Sequence, residues 1–504
     1  MRRHPEVVVE PRIDAATSIA EIATRYVFDP PRDDDPVIEF LSPEELAQAF
    51  AGVIPIELGD NVPARSAEAL ASAAELVVRH SVHTSHPRFF NQNFAGPDPV
   101  AVIGDWLGAA LNTTNATFEA APVFTLMESA LLRKLGRVAG YPVSDEPGSL
   151  PPGLFAPGGS SATLYALQLA RHRHQPDIVR VGASADRLAI FVSDAGHYAA
   201  VKSAALLGIG MDNVIKVAAD DEGAMDVTAL RAEITTARER GLTPLAVIAT
   251  AGTTVTSAFD AIDEIADVCD AEELWLHVDG CWGGSALFSS SHRHRLAGVE
   301  RSDSFVWNLH KMMGVTQQCT ALLVRDPGQL GPCFATGADY IFQPDKLHAE
   351  FDSGDRHFQC ARRVDALKLW LTWQAYGDEG FEARIDHAVA MADHVRHRIR
   401  SSDDEFATIV EGDFSNVVFV WVPPELRPFD LDSLAPDHHA ALHVLAPRIK
   451  GRMQAEGTVM MGYQPVAEIN TFRFILNNSN VEPADIDVTL EFISQYATEE
   501  WKGV

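Results

Sequence analysis

Four short stretches of this chain hold residue types that can do chemistry. Lys311 is one of only eight lysines and lies between Trp307 and Met312-Met313-Gly314, so its surroundings are mostly apolar. A desolvated ammonium gives up its proton readily, and the neutral amine can then form an imine with a carbonyl. Position alone leaves a lysine snorkelling from a strand end equally open. Leu274-Trp275-Leu276-His277-Val278-Asp279 is a buried-strand pattern that ends on a carboxylate. A buried acid is costly unless a cation meets it. A protonated ring nitrogen would serve; a metal ion, or a capping role for Asp279 at the next helix, are the other readings. Pro157-Gly158-Gly159-Ser160-Ser161-Ala162-Thr163 opens onto the helical run Leu164–His172. Glycines admit an anion closely, hydroxyls donate to it, and a helix N-terminus offers free N–H groups, although Gly-Ser turns often do no more than cap. In Asp194-Ala195-Gly196-His197 the imidazole is placed either to stack on a flat ring or to serve structure alone.

These groups need a frame that gathers them. From about 120 to 330 helical patterns alternate with short apolar, β-branched runs: Leu188–Val192, Asn213–Val217, Leu245–Thr250, Leu274–Val278, Ser304–Trp307 and Thr320–Val324. Runs apolar on both faces between helices predict a largely parallel α/β sheet covered on both sides. Each candidate group then falls at a C-terminal strand end, the edge where open α/β sheets bind ligands. Ser66–Val82 has helical spacing, residues 331–360 look like an ordered loop, and a helix is expected over Val364–Tyr376. The division is an N-terminal arm with helical character (1–60, with a polar break at 30–36), a large domain (61–375, helical to about 120) and a smaller α+β domain (376–504).

The formal charge of −30 argues against nucleic acid and anionic membranes as partners. An anionic substrate would therefore depend on specific local cations. No apolar run approaches the ~20 residues of a membrane span, and no apolar h-region follows Met1-Arg2-Arg3. Five scattered cysteines without a CxxC pair make a disulfide framework or zinc site unexpected and fit a reducing cytoplasm.

Longer segments carry a resemblance. HPRFFNQ (86–92), NTTNATFEAAPVFTLME (112–128), FAPGGSSATLYA (155–166), ATAGTTVTSAFD (249–260), LWLHVDGCWGG (274–284), VWNLHKMMG (306–314), YIFQPDK (340–346), DSGDRHFQCARRVD (352–365) and MGYQPVAEINTFRF (461–474) occur in this order. Together they resemble the group II pyridoxal-phosphate-dependent amino-acid decarboxylases, especially those acting on glutamate and cysteine sulfinate. The resemblance implies the aspartate-aminotransferase-like fold (fold type I), with a mostly parallel seven-stranded sheet, and a homodimer with shared active sites. It makes Lys311 the Schiff-base lysine, Asp279 the partner of the pyridine nitrogen and His197 the residue stacked on the ring. Gly159, Ser160, Ser161, Asn308 and His310 would serve the phosphate, Thr253 and Cys281 would lie near the ring, and Ser353 and Gly354 would reach the partner subunit's phosphate. Arg473 matches the arginine that pairs with a substrate carboxylate; Gln92, with Phe90 beside it, matches the side-chain pocket. Tyr340 matches the tyrosine of a mobile loop that returns a proton to Cα; relatives with Phe there tend toward oxidative deamination.

Several positions depart from the family pattern: Phe118 for a common tyrosine, Gly280 and Cys281 for a usual Ala-Ala, Leu309 for a usual proline, and the residues before His197. None removes a required group, yet all approach the pocket. The expected reaction is therefore carboxy-lyase chemistry on glutamate, cysteine sulfinate or aspartate, with pyridoxal 5'-phosphate as cofactor and no metal. Decarboxylation of a different amino acid in secondary metabolism, and an aldehyde-forming or transaminating enzyme, are the alternatives.

Overall fold

Short, mostly buried strands organise the chain. In chain order they are β1 (Phe89–Phe90), β2 (Gly153–Ala156), β3 (Leu188–Ser193), β4 (Val214–Val217), β5 (Thr243–Thr250), β6 (Trp275–Asp279), β7 (Ser304–Asn308), β8 (Thr320–Val324), β9 (Phe406–Val410), β10 (Asn416–Trp421), β11 (Met460–Val466) and β12 (Ile469–Ile475). The computed structural model describes residues 10–502 apart from Pro30, Asp33, Pro147 and Ser184. Residues 1–9 of the expected arm lie outside the described residues.

Seven strands form one sheet in the order β2-β8-β7-β6-β5-β3-β4. β4, β3, β5, β6 and β7 run parallel, and β8 is antiparallel to both its neighbours. Along β3, Ala189 and Phe191 join one hydrophobic cluster, while Leu188, Ile190 and Val192 join another on the opposite face. Such a strand needs a helical layer on each side. One layer includes the helix Gly159–His174; the other includes Pro122–Val138, Val227–Glu239 and Ile262–Glu272. This is the expected architecture. The addition is β2, four residues directly behind Pro151-Pro152 and too short to read as a strand from pattern.

The helix expected over Val364–Tyr376 runs from Asp365 to Arg400, broken at Gly377 (φ 67, ψ −173). Beyond it lies a second sheet, β1-β11-β12-β10-β9, antiparallel except where β1 joins β11. The loop expected over 331–360 holds the end of a short helix, Leu330–Phe334, and two single 3-10 turns. Near the N-terminus, Glu10–Phe28, Pro43–Ala51 and Ala67–Arg79 are helical, the last capped by Ser66, whose Oγ accepts from Ala69 N–H at 3.2 Å. Among the described residues, no helix is long and apolar enough to cross a membrane.

Candidate active site

Because β3, β5, β6 and β7 are parallel, their C-terminal ends open on one edge. A cavity of about 440 Å³ lies there, lined by Gly159, His197, Asp279, Asn308 and Lys311, among others. That size suits a small organic ligand. The structure thus gathers residues spread over more than 150 positions.

Asp279 ends β6 opposite Thr250 of β5 and is only 8% exposed. Its Oδ1 accepts the Cys281 N–H at 3.0 Å. Burial alone would push its carboxyl up, but hydrogen bonds from Cys281, joined at low pH by the charges of His197 and His277, outweigh it and hold the pKa below its ordinary value. Asp279 is therefore a carboxylate at neutral pH. His197 has its pKa lowered, first by burial and further by Lys311, with Asp279 opposing. Its ring is neutral, and Nδ1 accepts the Ala199 N–H at 3.2 Å, which fixes the plane. Burial and the Asp279 charge push the Cys281 thiol far up, so it remains a thiol and no thiolate nucleophile stands here.

The glycine turn meets this group at the start of the helix Gly159–His174. No side chain caps that N-terminus, which leaves its first N–H groups to a ligand. Gly159 is required by close approach: a Cβ there would stand 2.4 Å from Cys281 Sγ and 3.2 Å from Asn308 Nδ2. Asn308 Oδ1 accepts the Thr320 hydroxyl at 2.8 Å, so its amide nitrogen is turned to donate. His310 is pinned to Cys319, with Nδ1 3.1 Å from that residue's N–H, and burial lowers its pKa to about 4. Ser160 lines the cavity; Ser161, one residue deeper, does not.

Other expected site residues stand elsewhere. Thr253 is 1% exposed and faces into its own turn, bonding Thr256 Oγ1 at 2.8 Å and accepting from Ala258 N–H at 3.0 Å. Its neighbours Thr250, Gly252 and Thr254 line the cavity instead. Thr250 Oγ1 is buried without a partner. Its place at the end of a readable strand was the available signal. Phe90 is fully buried in the second sheet's core against Phe474, with ring centroids 4.8 Å apart, and Gln92 is exposed. Tyr340 is 81% exposed and does not line this cavity. Ser353 and Gly354 bond the carbonyls of Asn115 and Ala116, and Ser353 borders a different cavity of about 470 Å³.

Arg473 sits on β12 and does not itself line the cavity; its Nη1 donates at 3.0 Å to the carbonyl of Thr254, which does. Burial pushes its pKa down to about 10. Among the described residues no carboxylate pairs with it, and its Nε has no acceptor. The departures in sequence have local causes. At Gly280 a Cβ would come within 2.3 Å of the Phe305 ring, and Leu309 is fully buried in the main core.

The arrangement fits pyridoxal phosphate by its own features: an uncapped helix N-terminus for a phosphate, an ionised strand-end carboxylate, a neutral imidazole and one amine around a single cavity. Comparison with known proteins points the same way. Human cysteine sulfinic acid decarboxylase is 42% identical over 488 residues, covering 96% of this chain and 93% of its own. The acidic amino acid decarboxylase GADL1 of Bos taurus is 40% identical over 464 residues, 91% of this chain and 86% of its own. The crystal structure of mouse CSAD superposes with a TM-score of 0.89 at 40% identity, over 96% of this chain and 98% of that one. Residues 56–422 match the pyridoxal-dependent decarboxylase conserved domain, and on that match the chain belongs to the pyridoxal-dependent amino-acid decarboxylases, with pyridoxal phosphate as its cofactor.

Proposed function

We propose that this enzyme decarboxylates a small acidic L-amino acid (glutamate, cysteine sulfinate or aspartate) and releases CO2. The observation that carries the substrate class is Arg473: a half-buried guanidinium bonded to the cavity-lining Thr254, with no carboxylate of its own among the described residues. A substrate acid would supply the missing partner through two parallel hydrogen bonds. The relatives named for acidic substrates agree with this reading.

The bound cofactor supplies an electron sink for the pair left behind when CO2 departs. The residues around it have separate tasks. Lys311, which lines the cavity, would hold the cofactor through its side-chain amine. Asp279, kept ionised, holds the proton on the ring nitrogen. The Gly159–Ser160 helix end and the Asn308 amide hold the phosphate, with Ser161 and His310 supporting them. His197 and Cys281, which both line the cavity, would hold the ring between them. Tyr340 delivers the proton to Cα.

Tyr340, Ser353 and Gly354 stand apart from their own subunit's cavity, so the reading includes a homodimer in which they serve the partner subunit's site. An apolar stripe on the helix Pro99–Leu111 suits that contact, with Ile103, Leu107 and Leu111 each at least 40% exposed. A cytoplasmic setting suits five cysteines that are all free thiols. Steady-state kinetics on the three acidic amino acids, alongside a panel of neutral and aromatic ones, test the substrate class. A non-acidic best substrate refutes it.

A further inference from the structure

Arg473 has company on its face of the second sheet. The Gln464 side-chain nitrogen is closed off from solvent and has no hydrogen-bond partner, as is true of Arg473 Nε. A closed-off donor without a partner is costly; the Nε atoms of Arg171, Arg295, Arg356 and Arg362 share that state, so the Gln464 amide is the more telling of the two. In the antiparallel pair, Gly462 stands opposite Arg473 and Gln464 opposite Thr471. Residues two apart along a strand share a face, so Arg473, Gly462 and Gln464 lie on the same side.

The guanidinium leans across β11 through the space that Gly462 leaves. A Cβ at Gly462 would come within 3.6 Å of Arg473 Nη2 and 3.0 Å of Asn91 O, and Nη2 donates to that carbonyl at 3.4 Å. Gln464 is the next residue on this face of β11. Among the described residues Arg473 forms no salt bridge, so no carboxylate neutralises it. Resting on the acidic-substrate reading above, we propose that Gln464 is a specificity-determining residue: its amide joins Arg473 as a donor pair for the oxygens of the substrate's side-chain acid.

The test uses the holoenzyme and two amine-free probes of equal length, glutarate with two acids and pentanoate with one. Their affinities are measured by calorimetry for the wild type, Gln464→Met and Gln464→Glu. The ratio of glutarate to pentanoate affinity should fall about tenfold in Gln464→Met, as for a lost hydrogen bond to a charged group, and further in Gln464→Glu, which opposes an anion with an anion. KM for the best acidic substrate should rise in parallel while kcat changes less. If both affinities fall alike, or neither changes, Gln464 is structural and the proposal is overturned. A wild-type enzyme with no preference for glutarate instead removes the acidic-substrate reading on which the proposal rests.

Discussion

Replacing Asp279 with Asn tests the electrostatics of the site with little change of shape. Asparagine keeps an oxygen where Asp279 Oδ1 accepts the Cys281 N–H at 3.0 Å, so the local turn survives. What disappears is a full negative charge, buried at 8% exposure and held ionised by its neighbours. Removing one partner of a buried charge pair costs about 3–5 kcal/mol. At about 1.4 kcal/mol per decade, kcat/KM should fall roughly 10²- to 10⁴-fold. CO2 release measured with saturating cofactor reads the loss, and a spectroscopic titration with cofactor reads binding separately. Cofactor affinity should fall far less than the rate, because the helix end, Ser160 and Asn308 are intact. The cofactor-free protein should lose a little thermal stability at neutral pH, since a carboxylate whose pKa is held below its ordinary value stabilises the fold there. Retention of kcat/KM within about threefold, or a loss explained wholly by unfolding, would refute the role given to this carboxylate.

Other consequences follow from single contacts. Tyr340→Phe should leave the melting temperature unchanged, because the side chain is 81% exposed, yet depress amine formation; unchanged amine yield would remove Tyr340 from the chemistry. Gly280→Ala should destabilise by about 1–3 kcal/mol in denaturant titration, because the new methyl meets the Phe305 ring at 2.3 Å; no change in the unfolding midpoint would contradict this packing. His86 and His277 are both fully buried, and burial lowers each pKa to about 4. Both are neutral in the fold while the unfolded chain takes up protons below about 6.5. Stability should therefore be full above that pH and fall as pH drops from about 6.5 toward 4, by roughly 3 kcal/mol per histidine. Urea midpoints across this range read the slope, which His277→Asn should flatten; identical slopes would exclude the buried histidine as its source.

The strand-end chemistry was legible because two simple patterns coincide. Runs apolar on both faces specify a covered parallel sheet, and parallel strands bring Asp279, His197 and Lys311 to one edge whatever the helices do. Thr253 shows where that logic stops. The turn Gly252-Thr253-Thr254 holds two threonines, and only the folded turn decides that Thr253 faces inward toward Ala258 while Thr254 meets the cavity. Phe90 was misplaced for a related reason. Phe89–Phe90 extends a sheet whose other strands lie more than 300 residues away, so its burial depends on pairing with Met460–Met461. Gly280 looked like a change in the pocket, but its cause is the volume of Phe305 on the adjoining strand β7. The helix boundary at Leu164 came five residues late because Gly159 and Ser160 lack apolar periodicity, although they begin the helix.

The most direct test of the account is reduction of the holoenzyme with borohydride, followed by digestion and mass mapping of the cofactor adduct. One modified side chain, Lys311, is expected, and no adduct when Lys311→Ala is treated in the same way. An adduct on another residue, or a cofactor-loaded protein that yields none, would contradict it.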